Sequence, residues 1–137
     1  MKSKIFKCIA GIFLAVLILA SGCENKKALD PGILEGKITI GPICPVERIP
    51  PDPACQPTAE TYKAYPVSIF TSDGSKKIAQ LNPSLDGSYN VELPPGNFLV
   101  VLERSNTGIG GSNLPVEVSI SSEDKTILDI NIDTGIR

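Results

Sequence analysis

The residues of this chain best suited to chemistry are its four cysteines, Cys8, Cys23, Cys44 and Cys55. A thiol can be acylated, can pair in a disulfide or can bind a metal, and its compartment largely decides between these fates. The 137-residue sequence contains no histidine, which removes the commonest general base, every Ser–His or Cys–His nucleophile pair and most zinc sites. We therefore predict no enzymatic activity, no metal site and no cofactor.

The first 22 residues have the pattern of an export signal. Three lysines lie within the first seven residues, and an uncharged, mostly apolar run follows over 8–22. This run is shorter than the stretch of about 20 apolar residues that a spanning helix needs. We predict a signal peptide over 1–22, and an uncleaved anchor helix is the alternative.

Small residues stand directly before Cys23, in the sequence LASGC over 19–23. This pattern resembles the lipobox of bacterial lipoproteins, in which the signal is cleaved before the cysteine and the thiol receives a diacylglyceryl group. The resemblance implies that lipidated Cys23 anchors the protein to the extracytoplasmic side of a bacterial cell membrane. The alternative is plain secretion, with Cys23 incidental.

The chain after the signal divides into a tether and one domain. Residues 23–35 show no clean hydrophobic period and include Asp-Pro-Gly at 30–32, so we interpret them as the lipidated cysteine and a short tether. From 36 to 137, short apolar alternations separated by turn-forming residues predict strands and no helix. Seven such strands, about ten residues apart, predict an all-β sandwich. They are expected at 36–41, 65–71, 76–81, 88–93, 97–103, 115–121 and 126–133.

Alternation within the strands also predicts which side chains face the core, because successive side chains point to opposite faces of a sheet. The strand at 97–103 is apolar on both faces, which predicts that both of its faces are covered. The residues expected to face inward in the other strands are Ile38, Ile40, Tyr65, Val67, Ile69, Tyr89, Val91, Leu93, Val116, Val118, Ile120, Leu128, Ile130 and Ile132.

A proline-rich segment over 42–64 separates the first two strands and contains Cys44 and Cys55. With Cys8 removed and Cys23 lipidated, these two would be the only free thiols of an exported protein, which predicts one disulfide. Two free buried cysteines, or half of a metal site, are the alternatives. The stapled segment is either a rigid recognition element or a cover for one end of the sandwich.

Two tyrosines flank the proline-rich segment and are candidates for a binding surface. Tyr62 and Tyr65 could stack on a sugar or contact a protein partner. The third tyrosine, Tyr89, shares a face with Val91 and is expected in the core.

Three stretches carry a family resemblance, at 41–48 (GPICPVER), 86–98 (DGSYNVELPPGNF) and 133–137 (DTGIR). The middle stretch resembles the signature of carboxypeptidase regulatory-like domains, which implies a prealbumin-like (transthyretin-like) seven-stranded Greek-key sandwich. The other two resemble the GPxxPVE and C-terminal D(S/T)GIR motifs of a group of small exported bacterial proteins with that domain. The resemblance implies no catalytic residue and no particular ligand.

The first and last of these stretches contain four charged residues that could interact. If the proline-rich segment folds back on the last strand, Glu47, Arg48, Asp133 and Arg137 could form an ion-pair network that pins the C-terminus. Exposed pairs contribute only about 0–1 kcal/mol each, so such a network would matter mainly for register.

The sequence therefore predicts a non-catalytic, lipid-anchored protein of the cell envelope that binds a glycan or a protein. A purely structural envelope component without a dedicated ligand is the alternative. Nucleic acid is not an expected partner, because 13 basic residues are outnumbered by 15 acidic ones and aromatic residues are scarce. The membrane is an expected partner only through the lipid at Cys23. The sequence does not predict an oligomeric state.

Overall fold

The computed structural model describes residues 28–46, 48–103 and 110–137. Over these ranges the chain forms two β-sheets that enclose one apolar core, which confirms the predicted all-β sandwich. The described residues form nine strands, whereas the alternation predicts seven. These are β1 (Gly32–Gly41), β2 (Val67–Thr71), β3 (Lys77–Gln80), β4 (Ser88–Leu93), β5 (Gly96–Leu102), β6 (Gly111–Ser112), β7 (Val116–Ile120), β8 (Lys125–Ile127) and β9 (Ile130–Asp133), with a 3-10 helix (Pro53–Cys55) and a helix α1 (Ala59–Ala64).

The long first strand, β1, organises the first sheet. It pairs antiparallel with β4 and parallel with β8 and β9, and β9 in turn pairs with β6. The second sheet has the order β3-β2-β5-β7, and each neighbouring pair is antiparallel. Ten extended residues span about 30 Å, so β1 carries the chain from one end of the sandwich to the other.

The strand predicted over 126–133 is two strands, because its middle residues leave the ladder. β8 and β9 pair with β1 in the same register on either side of a break at 128–129. At the break, a Cβ atom on Gly36 would lie 2.0 Å from the Leu128 carbonyl oxygen. The Asp129 carboxylate accepts a hydrogen bond from the Lys37 backbone N–H at 3.0 Å. The close approach at Gly36 therefore sets where the strand divides.

The sandwich begins before the predicted boundary at residue 36. β1 starts at Gly32, and Leu34 within the predicted tether is fully buried. Two residues before the strand are also held, because Ser122 Oγ donates to the Asp30 carbonyl at 2.8 Å and the Glu123 N–H donates to the Pro31 carbonyl at 3.3 Å. Sequence analysis misses this part of the strand because Gly36 occupies the inward position between Leu34 and the next inward isoleucine.

The alternation predicts most of the core correctly. In β5, Phe98 and Val100 are buried on the inner face, and Leu99 and Val101 on the other face are half-buried, so the expected cover of both faces is partial on that side. Of the residues predicted to face inward, Ile38, Ile40, Val67, Ile69, Tyr89, Leu93, Val118, Ile120, Ile130 and Ile132 are buried, and Tyr65, Val91, Val116 and Leu128 pack against them half-buried. Each buried large apolar side chain stabilises the fold by about 1.5–3 kcal/mol.

The proline-rich segment contains two short helices that the alternation does not predict. Asp52 caps the 3-10 helix, since its Oδ1 accepts a hydrogen bond from the Ala54 N–H at 2.9 Å. Thr58 caps α1, and its side chain and that of Thr61 bond reciprocally to the two backbone N–H groups. Helices this short show no hydrophobic period, so only their caps could have indicated them. None of the helices in the described ranges has the length and apolar content that crossing a membrane requires.

Two Asp-Gly-Ser sequences form tight turns on either side of β3. In the first, Asp73 accepts hydrogen bonds from the Thr71 hydroxyl at 2.5 Å and from the Ser75 N–H at 3.1 Å. These bonds, the one from Thr71 above all, lower the pKa of the Asp73 carboxyl to about 2. In the second, Asp86 accepts from the Ser88 hydroxyl at 2.6 Å and from its N–H at 3.1 Å. Both carboxylates therefore act as turn-stabilising acceptors.

Candidate binding groove

A disulfide closes the proline-rich segment. Cys44 and Cys55 are bonded, with their Cα atoms 5.4 Å apart and a sequence separation of 11. The predicted disulfide is thus confirmed. No group of three or more His, Cys, Asp or Glu side chains in the described parts of the chain is placed to hold a metal ion. We call the segment between the two cysteines, residues 44–55, the stapled loop.

A groove of about 570 Å³ lies between the stapled loop and the second half of β1. It is lined by β1 and the buried Tyr62, which we call its floor, by the stapled loop, and by Leu85 and Asp86 of the loop that precedes β4. The Ile38 N–H donates to the Gly87 carbonyl at 2.8 Å, which holds that loop against β1. The lining residues are Lys37, Ile38, Thr39, Ile40, Gly41, Pro42, Ile43, Cys44, Val46, Arg48, Pro51, Asp52, Cys55, Gln56, Pro57, Tyr62, Leu85 and Asp86.

Exposed aliphatic side chains line the groove from two separate segments, which we call its rims. Val46 of the stapled loop has 66% of its surface exposed, and Leu85 of the loop that precedes β4 has 71%. Ile49, also in the stapled loop, is fully exposed. Isolated exposed apolar residues are common on protein surfaces, but aliphatic residues on both rims of one concave site are typical of an interaction surface.

Four charged residues line the groove, two of each sign. The acidic pair is occupied internally, since Asp52 caps the 3-10 helix and Asp86 accepts from Ser88. The Ser88 hydroxyl and N–H, together with the nearby Lys37 ammonium, hold the pKa of the Asp86 carboxyl below its usual value. Within the described ranges, neither Lys37 nor Arg48 forms a salt bridge.

The two tyrosines predicted as a binding surface do not form an exposed aromatic platform. Tyr62 lies on α1 and is only 9% exposed, because the helix turns its ring into the core. Burial, with the Asp86 carboxylate nearby, raises the pKa of Tyr62. Tyr65 is half-buried and packs against the same core. Tyr62 thus contributes to the floor of the groove, and the exposed rims are aliphatic.

One ion pair of the predicted four-residue network is present among the described residues. Arg137 donates to the Asp133 carboxylate at 2.9 and 3.3 Å, and this contact lowers the pKa of the Asp133 carboxyl. Arg48 lines the groove, and Glu47 lies outside the described residues. A network joining all four residues therefore stays a prediction.

The two motifs at the ends of the domain do meet, through a residue that sequence analysis did not single out. The Thr134 N–H donates to the Gly41 carbonyl at 3.1 Å, and the Thr134 hydroxyl donates to the Pro42 carbonyl. These bonds hold the C-terminal segment against the root of the stapled loop. The groove residues Val46 and Leu85 were also missed, although a large apolar residue in a polar turn is a signal that could have indicated Leu85.

The comparisons with known proteins support the fold alone. No family model and no curated protein matches the chain. Among solved structures, GBS52, the minor pilin of Streptococcus agalactiae, is 12% identical with a TM-score of 0.52 over 77% of this chain and 45% of that one. A DUF3823 family protein from Parabacteroides merdae is 14% identical with a TM-score of 0.44 over 76% and 46%. The chain thus spans less than half the length of either structure.

Proposed function

We propose that this chain is a non-catalytic, lipid-anchored binding module of the bacterial cell envelope, and that the groove beneath the stapled loop is its recognition surface. The observation that carries the proposal is the pair of exposed aliphatic rims, at Val46 and Leu85, over a groove whose wall is fixed by the Cys44–Cys55 disulfide. Other sandwich domains of similar fold include a minor pilin, which is in keeping with a surface module.

Rigidity of the stapled loop favours recognition. The disulfide, the Asp52 cap and the bonds from Thr134 to the loop root each restrict the loop before any ligand arrives. A surface that is already ordered loses less conformational entropy on binding than a flexible one. The groove is therefore suited to bind without a large rearrangement.

The position of the groove favours a partner away from the membrane. The chain enters the sandwich at Gly32, and β1 ends at Gly41 beside the stapled loop, about 30 Å away. If Cys23 carries the lipid, only six residues, 24–29, separate it in sequence from Asp30, whose carbonyl accepts a hydrogen bond from Ser122. In that arrangement the anchored end is close to the membrane and the groove faces outward.

Between the two expected partner classes, the groove favours a protein. A glycan site would be expected to offer exposed aromatic faces, whereas Tyr62 is buried and the rims are aliphatic. Burying the exposed aliphatic rims against apolar side chains of a protein partner removes apolar surface from water, which favours binding.

Site-specific photo-crosslinking in intact cells tests the binding surface. A photoreactive residue at position 85 should give a discrete crosslinked partner, and the same residue at position 29 should not, because Leu29 matches Leu85 in exposure (70% against 71%) but precedes β1, at the end of that strand opposite the groove. The position-85 product should disappear in the Cys44→Ala/Cys55→Ala background. Crosslinking that is equal at both positions, or absent at both, would favour the structural alternative.

Metabolic labelling with a radioactive or clickable fatty acid tests the anchor. We expect the wild-type chain to incorporate the label and partition into the membrane fraction, and the Cys23→Ser variant to lose both properties. Cys8→Ser is the matched control, because Cys8 lies within the predicted signal and should leave labelling unchanged. Label retained in Cys23→Ser would contradict the anchor.

A further inference from the structure

We propose that the groove takes an extended polypeptide segment that presents a single carboxylate between aliphatic side chains, with Lys37 and Arg48 as the partners of that carboxylate. This proposal rests on the proposed function, because it names the chemistry of the ligand of the same groove. We infer this ligand chemistry from two sets of side chains that line the groove: those that already bond within the chain, and those that form no salt bridge within the described ranges.

The two acidic groups of the groove also hold the loops that carry them. Asp86 Oδ1 accepts two bonds from Ser88, at 2.6 and 3.1 Å, and Asp52 Oδ1 accepts one from the Ala54 N–H at 2.9 Å. Both carboxylates thereby fix local backbone, and a ligand cation would share each of them with an existing turn or helix-cap bond. A ligand anion would instead meet two cations that form no salt bridge within the described ranges.

The charged donors are left over. In the described parts of the chain, the Lys37 ammonium and the Arg48 guanidinium line the groove without a salt bridge. Lys37 lines the groove together with Asp86, and its ammonium is near enough to that carboxyl to contribute to the lowering of its pKa. Lysine and arginine side chains only donate hydrogen bonds, so the group they recognise must be an acceptor, and an anionic one binds most strongly.

The balance of charge limits how anionic the ligand is. Two cations and two anions line the groove, so its net charge is zero and it offers no strong attraction to a polyanion. A single carboxylate can accept hydrogen bonds from Lys37 and Arg48, and the zero net charge of the groove neither attracts nor repels it strongly. This favours a single Glu or Asp side chain in a polypeptide over an anionic polymer.

The remaining surface of the groove specifies what surrounds that carboxylate. Val46 and Leu85 on the rims, and the half-buried Ile43 next to Cys44, line the same groove as the charged residues and offer apolar contact. The volume of about 570 Å³ lies within the range of about 300–1,000 Å³ that is usual for ligand sites. An extended segment with aliphatic residues beside one acidic residue matches a groove lined by both apolar and cationic side chains.

Two matched pools of synthetic peptides test the proposal against the full-length chain in detergent. Each peptide has ten residues and blocked termini, a fixed central Glu in one pool and Gln in the other, and flanking positions drawn from Val, Leu, Ile, Pro and Ser. We expect the immobilised protein to retain the Glu pool about tenfold more than the Gln pool, the difference that one charge-assisted contact typically makes. Lys37→Gln and Arg48→Gln should each reduce this preference, and the double variant should abolish it.

Lys76→Gln is the control, because Lys76 is an exposed lysine in the turn between β2 and β3, outside the groove, and its replacement should leave the preference unchanged. Equal retention of the two pools, or a Glu preference that survives the double variant, would overturn the proposal. Retention of neither pool would also overturn it, and the crosslink at position 85 then shows separately whether the groove still binds another kind of partner.

Discussion

Replacing both disulfide-bonded cysteines, as Cys44→Ala/Cys55→Ala, is expected to lower the free energy of unfolding by about 3 kcal/mol. The disulfide joins residues 11 apart, and in the chain-entropy account a loop of this length removes that much freedom from the unfolded chain. The native loop keeps its other restraints, the Asp52 cap and the Thr134 bonds, so the sandwich itself should still form.

Urea denaturation followed by circular dichroism measures this loss. The double variant should unfold at a lower urea concentration with an unchanged slope, and its melting temperature should fall on the order of 10 °C. Reductant provides the control: it should bring the wild-type protein to the midpoint of the variant and have no effect on the variant. A variant that unfolds at the wild-type midpoint would show that the disulfide contributes nothing to the fold.

The core could be predicted from the sequence because it depends on a local rule. Alternating side chains in a strand point to opposite faces, so residues such as Ile130 and Ile132 could be placed inward without knowledge of their partners. The rule fails where a glycine interrupts it. Leu34 is fully buried, yet Gly36 beyond it carries no side chain, and the alternation therefore seemed to begin later.

The division of β8 from β9 could not be predicted, because its cause lies in another strand. The segment 126–133 has the pattern of one strand, with Leu128, Ile130 and Ile132 separated by polar residues, and the approach of the Leu128 carbonyl to Gly36 removes its middle from the ladder. Contacts between residues so far apart in sequence leave no local pattern. The same reason explains why the junction of Thr134 with Gly41 was inferred only as a possible meeting of two motifs.

The groove likewise has some features that the sequence predicts and others that depend on contacts between distant segments. The disulfide could be predicted by elimination, since only two cysteines remain once the signal and the lipidation site are assigned. The exposed aliphatic rims could not be predicted from the sequence. Val46 and Leu85 line one groove only because the fold brings the stapled loop and the loop before β4 together at β1. Tyr62 was placed on the surface because α1 was not predicted, and a helix turns that side chain inward.

Two glycines that are equivalent in sequence are expected to differ widely in their tolerance of a side chain. Gly74 and Gly87 both lie in Asp-Gly-Ser turns and both have a positive φ, of 71° and 86°. A Cβ atom on Gly74 would meet only Leu99 Cδ2, at an ordinary 3.7 Å. A Cβ atom on Gly87 would lie 2.3 Å from the Ile38 carbonyl oxygen, which is backbone of β1 and cannot move freely.

We therefore expect Gly74→Ala to lower the free energy of unfolding by about 1–2 kcal/mol, because a positive φ is unfavourable for a residue with a Cβ atom. Gly87→Ala should cost about 2 kcal/mol more, because relieving the clash also disturbs the hydrogen bond from the Ile38 N–H to the Gly87 carbonyl. Urea denaturation of the two variants beside the wild type gives both losses. Equal losses would mean that the loop before β4 moves away from β1 without cost.

Asparagine at the same two positions separates the cost of backbone conformation from the cost of space. Asparagine adopts positive φ more readily than alanine, so Gly74→Asn should recover most of the stability that Gly74→Ala loses. Gly87→Asn should recover little, because its Cβ atom meets the same Ile38 carbonyl. The Gly87 variants should also weaken the crosslink at position 85, since Gly87 packs against the Tyr62 hydroxyl on the groove floor and Leu85 is two residues away. An intact crosslink in a destabilised Gly87→Asn protein would separate the stability of this loop from the binding surface that it carries.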